Sequence, residues 1–392
     1  MNYCELIDHF DLISVTREGD PCHFAFCVPN QRAYARWPDF PRAARPDSGR
    51  AAAGRGVDAA QCEASALGEA IELACTCEWG DEALIMATLD ELGSAAVSPD
   101  ALNGFSSRQL AERETWNVSP FAALDWRPRP LDASRPTQWL SATRTSGETC
   151  LVPADFVLVG RREPGDQDAV SIATTSGCAS GATPESAKQR ALLELIERDA
   201  VGQWWYQHIP RPDSPLGSLD LPATVSRYLE ERARQTMVLD LTTELGVPVM
   251  AALSCRPDGK ALALGFGCDL SRARAGCSAI VEMFQTEIGL GQRAQRDDPL
   301  LGIWMREATR DNLAILGAAM TPPPQQPVDL NDVVARLARH GKNCAFVDLS
   351  RADFGKHVFR AIVPEMWSDK PRFAGFERSG LTAPRNSLPL LV

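Results

Sequence analysis

No stretch of the sequence approaches the roughly 18 consecutive apolar residues that a membrane helix needs. The opening MNYCELIDHFDLIS also lacks the basic and apolar segments of a signal peptide, so a cytoplasmic protein with no membrane partner is expected. There is no basic excess: 51 acidic against 40 basic residues give a formal net charge of −11. That balance argues against nucleic acid as a partner, because phosphate backbones call for a basic face. It leaves room for a buried basic pocket holding a small phosphate ligand. No CxxC pair occurs among the 12 cysteines; Cys75 and Cys77 form a lone CxC, and Cys22-His23 with Cys27 has no second pair. A structural zinc site needs two such close pairs, so the thiols are expected reduced and acting as small apolar residues. The five histidines (9, 23, 208, 340 and 357) show neither ligand spacing nor a Ser-His-Asp order. GxxxxGK[ST] is missing, which excludes a Walker-type phosphate loop, and GFGCDL (265–270) is only half of a GxGxxG.

What is there suits a large soluble protein: 392 residues, 44% apolar and 23% charged, enough for one big domain or two to three ordinary ones. Short strands are expected in 1–35, with FAFCV the clearest, then a breaker-rich loop, PDFPRAARPDSGRAAAGRG (38–56). A helix is expected from Asp58 to Glu78, and strands in QWLSAT, TCLVPADFVLVG and AVSIATT within 110–175. Thr183-Pro184-Glu185 starts a helix over 184–207 with a cap, a first-turn proline and a dipole-favoured acid. Further helices are expected at 223–236, 271–290 and 331–340, with strands at 246–256, 260–268 and in NCAFVDLS. MTPPPQQPVDL (320–330) reads as a loop, and the tail from 370 as irregular. Strands alternating with helices give an α/β class, mixed sheets packed with helices. The organisation expected is an N-terminal strand and loop segment (1–50), a core (51–369) and a tail (370–392).

Three of these helices share one arrangement. SALGEAIE carries Glu69 and Glu72, ALLELIER carries Glu194 and Glu197, and SAIVEMFQ carries Glu282 and Gln285. Spacing i, i+3 places each pair on one helix face. Every pair sits among apolar residues, and a buried carboxylate needs a cation. Arg198 alone does not balance five glutamates. If the faces converge, hard oxygen ligands suit Mg2+, which typically arrives bridging substrate phosphates. Ahead of the central helix, TTSGCASGAT (174–183) has small residues at Ser176, Gly177, Ser180 and Gly181, whose backbone N–H groups would approach an anion closely. Gly54-Arg55-Gly56 stands similarly before the first acidic helix. Trp204 and Trp205 at the end of the central helix are expected to be packing anchors.

SGCASGATPESAKQRALLELIERDAVGQWW closely resembles the central signature of the YcaO family. GRGVDAAQCEASALGEAIE resembles that family's first motif, a Gly-basic-Gly turn and S-x-x-x-E-x-x-E. GFGCDLSRARAGCSAIVEMFQ, with RDD at 296–298, resembles the third, and CAFVDLS with VFRAIVPEMW resembles the C-terminal strand pair. The match runs in order over about residues 50–365. The resemblance implies a YcaO-type ATP-binding fold and ATP-dependent modification of backbone amides in a ribosomally made precursor peptide. A Cys, Ser or Thr side chain, or sulfide, adds to the amide; phosphorylation of its oxygen and loss of phosphate leave an azoline or a thioamide. It implies ATP and Mg2+ as cofactors, with Glu69, Glu72, Glu194 and Glu197 near metal, and Ser65, Glu69, Arg198, Glu282 and Gln285 near nucleotide. It also implies a separate leader-binding partner (a ubiquitin-activating-enzyme-like or TfuA-type protein), and a flavin-dependent dehydrogenase if azoles are made, in an oligomeric complex. No length is left over for a fused leader-binding domain. Two departures stand out: Leu73 where the family often has Arg, and a tail, PRNSLPLLV, short of the family's P-x-P-x-P pattern. The family places its terminal carboxylate near the active site, so Val392 is the expected general base. Azoline formation is the leading expectation; TfuA-partnered thioamidation and a non-peptide nucleotide-binding role are the alternatives.

Overall fold

The computed structural model describes residues 6–293, 298–311, 329–381, 384 and 388–391. In chain order its strands are β1 (Phe10–Ser14), β2 (His23–Pro29), β3 (Ala52–Gly56), β4 (Ile85–Ala87), β5 (Thr137–Arg144) and β6 (Thr149–Pro153). They continue with β7 (Cys178–Gly181), β8 (Gln235–Asp240), β9 (Val249–Cys255), β10 (Ala263–Cys268), β11 (Ala345–Asp348) and β12 (His357–Ile362). Three antiparallel sheets result. Two have three strands, β1-β2-β3 and β10-β9-β8; the third runs β4-β5-β11-β12-β7, with β6 on β5. The class is α/β with mixed layers of helix and sheet, as expected.

The three acidic helices are α1 (Ala59–Thr76), α2 (Pro184–Gln207) and α3 (Arg272–Arg293). Each follows a strand directly: β3 leads into α1, β7 into α2 and β10 into α3. Glycine makes the strand–helix contact close. A Cβ on Gly54 would overlap Ala66 N and Cys62 O of α1, and one on Gly265 would overlap Met283 N of α3. GFGCDL is thus a packing feature of β10, where no nucleotide-binding turn is built. Asp58 caps α1 through Gln61 N, and Thr183 with Ser186 forms a capping box on α2. Each helix buries its apolar side in its own cluster: Leu67, Ile71 and Ala74 of α1, Leu192, Ile196 and Trp204 of α2, Ile280, Met283 and Phe284 of α3. Trp204 and Trp205 are both 0% exposed, the anchors their position suggested.

Several local expectations need correction. Residues 38–56 hold two short 3-10 turns and then β3, because the small AAGRG residues fit between β2 and α1 despite weak strand propensity. TCLVPADFVLVG is a strand only to Pro153; Ala154–Val157 is a helical turn, and AVSIATT forms no strand. There the buried Asp155 accepts from Arg161, Arg162 and Val170 N, tying the segment into a polar knot. The helix expected over 223–236 ends at Glu231, since the chain from Gln235 joins β9 as β8. The tail contains a short helix, Ala374–Arg378. Among the described residues, no helix is long and apolar enough to cross a membrane. All eleven described cysteines are free, and nine are buried.

Candidate active site

The three acidic faces meet at one cleft. Glu69 and Glu72 from α1, Glu194, Glu197 and Arg198 from α2, and Glu282 from α3 line a cavity of about 530 Å3. Arg55, Ser65 and Arg190 complete its polar wall. A second space of about 470 Å3, lined by Ser278, Cys277 and Asp220, shares Arg55, Gln61, Ser65 and Glu69 with the first. Together they form a continuous cleft of the size expected for a cofactor.

Five carboxylates therefore face three guanidiniums, an excess of two negative charges in a protein-walled space. Burial raises the pKa of all four proposed metal-side glutamates. Glu69 reaches solvent through the cleft, yet the protein packed around it raises its pKa against the opposing pull of Arg55 and a hydrogen bond from the Ala53 backbone N–H. Glu72 is pushed well above the carboxylate range by burial, then by Glu194 and Glu69. Glu194 rises to about 7 and Glu197 to about 8; burial is the main cause for both, with Arg198 opposing it. Asp369 adds to the rise at Glu194 and Glu282 to that at Glu197.

Arginine and backbone hold this acid cluster. Arg198 is within 3.7–3.9 Å of Glu194, Glu197 and Asp369, and its buried Nε has no hydrogen-bond partner among the described residues. Arg55 donates to Gln285 Oε1 at 3.0 Å and to Glu282 Oε2 at 3.2 Å. Phe266 N also donates to Glu282 Oε2, at 3.2 Å. Since Gly54 and Gly56 face α1, strand alternation sends Arg55 the other way, toward α3. Contrary to the expectation that the amides of the Ser176–Gly181 turn would approach an anionic ligand, two of them are spent on the protein's own carboxylates. Ser180 N donates to Glu72 Oε2 at 3.1 Å, and the amide of Gly177 donates to Glu194.

Every expected residue on α1 and α2 reaches the cleft: Ser65, whose Oγ accepts from Arg55 N at 3.4 Å, Glu69, Glu72, Glu194, Glu197 and Arg198. Glu282 reaches it from α3. Gln285 lies one turn further along and meets it through Arg55 rather than as wall. Val392 lies outside the described residues. Arg55, Arg190 and Asp369 were not singled out as site residues. Gly-Arg-Gly was the available signal for Arg55, and the i, i+4 spacing to Glu194 was the signal for Arg190. For Asp369 there was none, because only the tertiary fold brings it to Arg198.

Among the described residues, no three His, Cys, Asp or Glu side chains converge into a closed metal cage. The donor set nonetheless fits a hard divalent cation: all-oxygen, over-supplied with negative charge, and open on one side. An α/β protein with an acidic, cofactor-sized cleft between three strand–helix units is the class these features define. The chain belongs to the YcaO family, whose model, described as YcaO cyclodehydratase, ATP- and Mg2+-binding, matches residues 53–367. A solved heterocyclase in complex with substrate and cofactor superposes with a TM-score of 0.82 at 27% identity, covering 96% of this chain and 53% of that one. This chain thus spans about half the length of that heterocyclase. An uncharacterised protein of Methanothermobacter thermautotrophicus is 25% identical over 312 residues, 72% of this chain and 81% of that one. An uncharacterised protein from the tfuA 3' region of Rhizobium leguminosarum bv. trifolii is 27% identical over 252 residues, 60% and 54% of the two chains.

Proposed function

We propose that the chain uses ATP and Mg2+ to phosphorylate backbone amide oxygens of a ribosomally made precursor peptide, closing Cys, Ser or Thr side chains into azoline rings. The observation that carries this reading is the cleft walled by five carboxylates from three helices, on a fold shared with a heterocyclase. Glu69, Glu72, Glu194 and Glu197 hold the metal side, and a bound cation would offset the cost of ionising these buried carboxyls, whose pKa values are raised. A cleft with few fixed ligands and open geometry suits Mg2+ arriving with phosphates better than a resident ion. When bound, Mg2+ neutralises triphosphate charge and makes the amide oxygen's phosphorylation feasible. Ser65 and Arg198 contact nucleotide. Arg55 is a positioning residue: it pins Glu282 and Gln285 so that the α3 wall keeps its shape around the nucleotide.

A separate leader-binding protein brings the peptide, and a flavin-dependent dehydrogenase oxidises the rings where azoles are the product. The relative from the tfuA region supports a second reading, thioamidation with a TfuA-type partner and sulfide. Mass spectrometry of the co-expressed precursor separates the two. Loss of one water per modified site supports azoline formation, and exchange of one oxygen for sulfur supports thioamidation. An unmodified precursor in the presence of all partners refutes both.

A further inference from the structure

On the far side of Arg198 from the acidic cleft lies a second, smaller cavity of about 70 Å3. Its charge is the reverse of its neighbour's. Four cations, Arg198, Arg360, Lys370 and Arg372, line it together with a single carboxylate, Asp369, on a chain whose net charge is −11. Asp369 is engaged by Arg198 at 3.7 Å and by the Ser368 hydroxyl at 3.4 Å. Arg372 is neutralised by Asp125 at 2.7 Å. Arg360 and Lys370 are different. Arg360, on β12, is 1% exposed and, among the described residues, has no carboxylate within ion-pair distance. Its Nη1 donates to the carbonyls of Val157 and Thr174, its plane covers Phe156, and its Nε has no hydrogen-bond partner among the described residues. Among the described residues, Lys370 Nζ donates to the Leu124 carbonyl alone, at 3.1 Å.

A buried guanidinium without an anion is costly, and such groups are normally paired. Carbonyl acceptors, the Cys178 sulfur and an aromatic face surround the Arg360 charge, Glu194 acts on it only from beyond ion-pair distance, and the cavity beside it has room for a small tetrahedral oxyanion. We propose that this cavity is an oxyanion site that takes inorganic phosphate, with Arg360 and Lys370 as its charge partners and Arg198 as the wall it shares with the acidic cleft. Resting on the phosphorylation proposed above, the site gives the leaving group a destination. When the phosphorylated intermediate breaks down, the C–O bond breaks with its electron pair leaving on phosphate. Nitrogen loses its proton to solvent, and the C=N bond forms. Phosphate leaving the acidic cleft, where carboxylates outnumber guanidiniums, finds a lining in which cations predominate across Arg198.

Phosphate titration by calorimetry tests this on the intact protein saturated with Mg2+ and a non-hydrolysable ATP analogue, so that the nucleotide cleft is already filled. Wild type is expected to take up one phosphate. Arg360→Met should weaken that binding by about tenfold or more, as expected for loss of a charge-assisted hydrogen bond. Lys370→Met, at a less buried position, should weaken it by a smaller factor. Both should bind the ATP analogue as wild type does. If Arg360→Met does not fold, Lys370→Met decides. The proposal is overturned if wild type takes up no phosphate beside the analogue, or if the folded variants bind it unchanged. Should the analogue itself fail to bind, the nucleotide reading fails, and the same titration without analogue still tests the cavity.

Discussion

Two cavities share Arg198 and are built on opposite principles. On one side, two helices each contribute a pair of glutamates at i, i+3 and a third contributes Glu282, so carboxylates outnumber guanidiniums five to three. On the other, Arg198 of α2 joins strand and loop residues from distant parts of the chain to give four cations and one carboxylate. The acidic cleft is an arrangement that calls for metal cations; the basic one calls for an anion. The contrast shows how one arginine serves both: Arg198 restrains Glu194, Glu197 and Asp369 while its buried Nε remains unpartnered. Charge of each sign is concentrated locally while the whole protein stays only moderately acidic.

The largest effect is expected from removing charge in the acidic cleft. Glu197→Gln should lower Mg·ATP turnover by at least about 100-fold, since metal-site partners typically matter on that scale. It should leave phosphate uptake by the basic cavity intact. Loss of both would merge the two sites into one. Next, Arg55→Met should cost about 10- to 100-fold in turnover by freeing Glu282 and Gln285. A kcat loss with the Glu282→Gln effect already included in it, in a double-mutant cycle, identifies Arg55 as acting through Glu282; additive losses do not.

A smaller effect falls on stability. Gly265→Ala should destabilise by about 1–3 kcal/mol through overpacking of β10 on α3, read as a lower denaturation midpoint. The pH dependence of the metal-free protein sharpens the contrast further. Glu194 and Glu197 titrate near 7 and 8 in the fold against an ordinary value of 4.5. Below the ordinary carboxylate range both states are protonated and folding keeps its full stability. As pH rises toward 8 the unfolded chain releases protons that the folded one retains, so stability is lost. Melting temperature should fall from pH 5 to pH 8 without ligand, and Mg2+ with an ATP analogue should restore it at pH 8. Least of all, Val118→Ser, at an 86% exposed position, should change stability by within about 0.5 kcal/mol and leave turnover unchanged.

The acidic cleft was legible in the sequence, and the basic cavity was not. Helix periodicity and Thr183-Pro184 placed α2 over 184–207, matching its observed span. The i, i+3 rule put each acid pair on one face, and apolar flanks hinted that the faces turn inward. Arg55 was visible as Gly-Arg-Gly, but its direction depends on β3, and that segment reads as loop from composition alone. AVSIATT forms no strand; its Val170 N is instead taken by the polar knot at Asp155. Arg360 sits in VFRAIV as one polar residue in an apolar strand, and Lys370 sits in a proline-flanked loop. Only β12 packing against Val157 and Thr174, together with the 365–375 segment, brings these residues to one space. Local pattern carries information about helix faces; it carries little about loops that meet across 200 residues of sequence.

The most direct test of the acidic cleft is calorimetric titration of a non-hydrolysable ATP analogue with and without Mg2+, in wild type and in Glu194→Gln. Binding that requires Mg2+ in wild type and collapses in the variant is the expected result. Binding that is as tight without Mg2+, or unchanged by Glu194→Gln, contradicts the assignment of the three helix faces to a metal–nucleotide site.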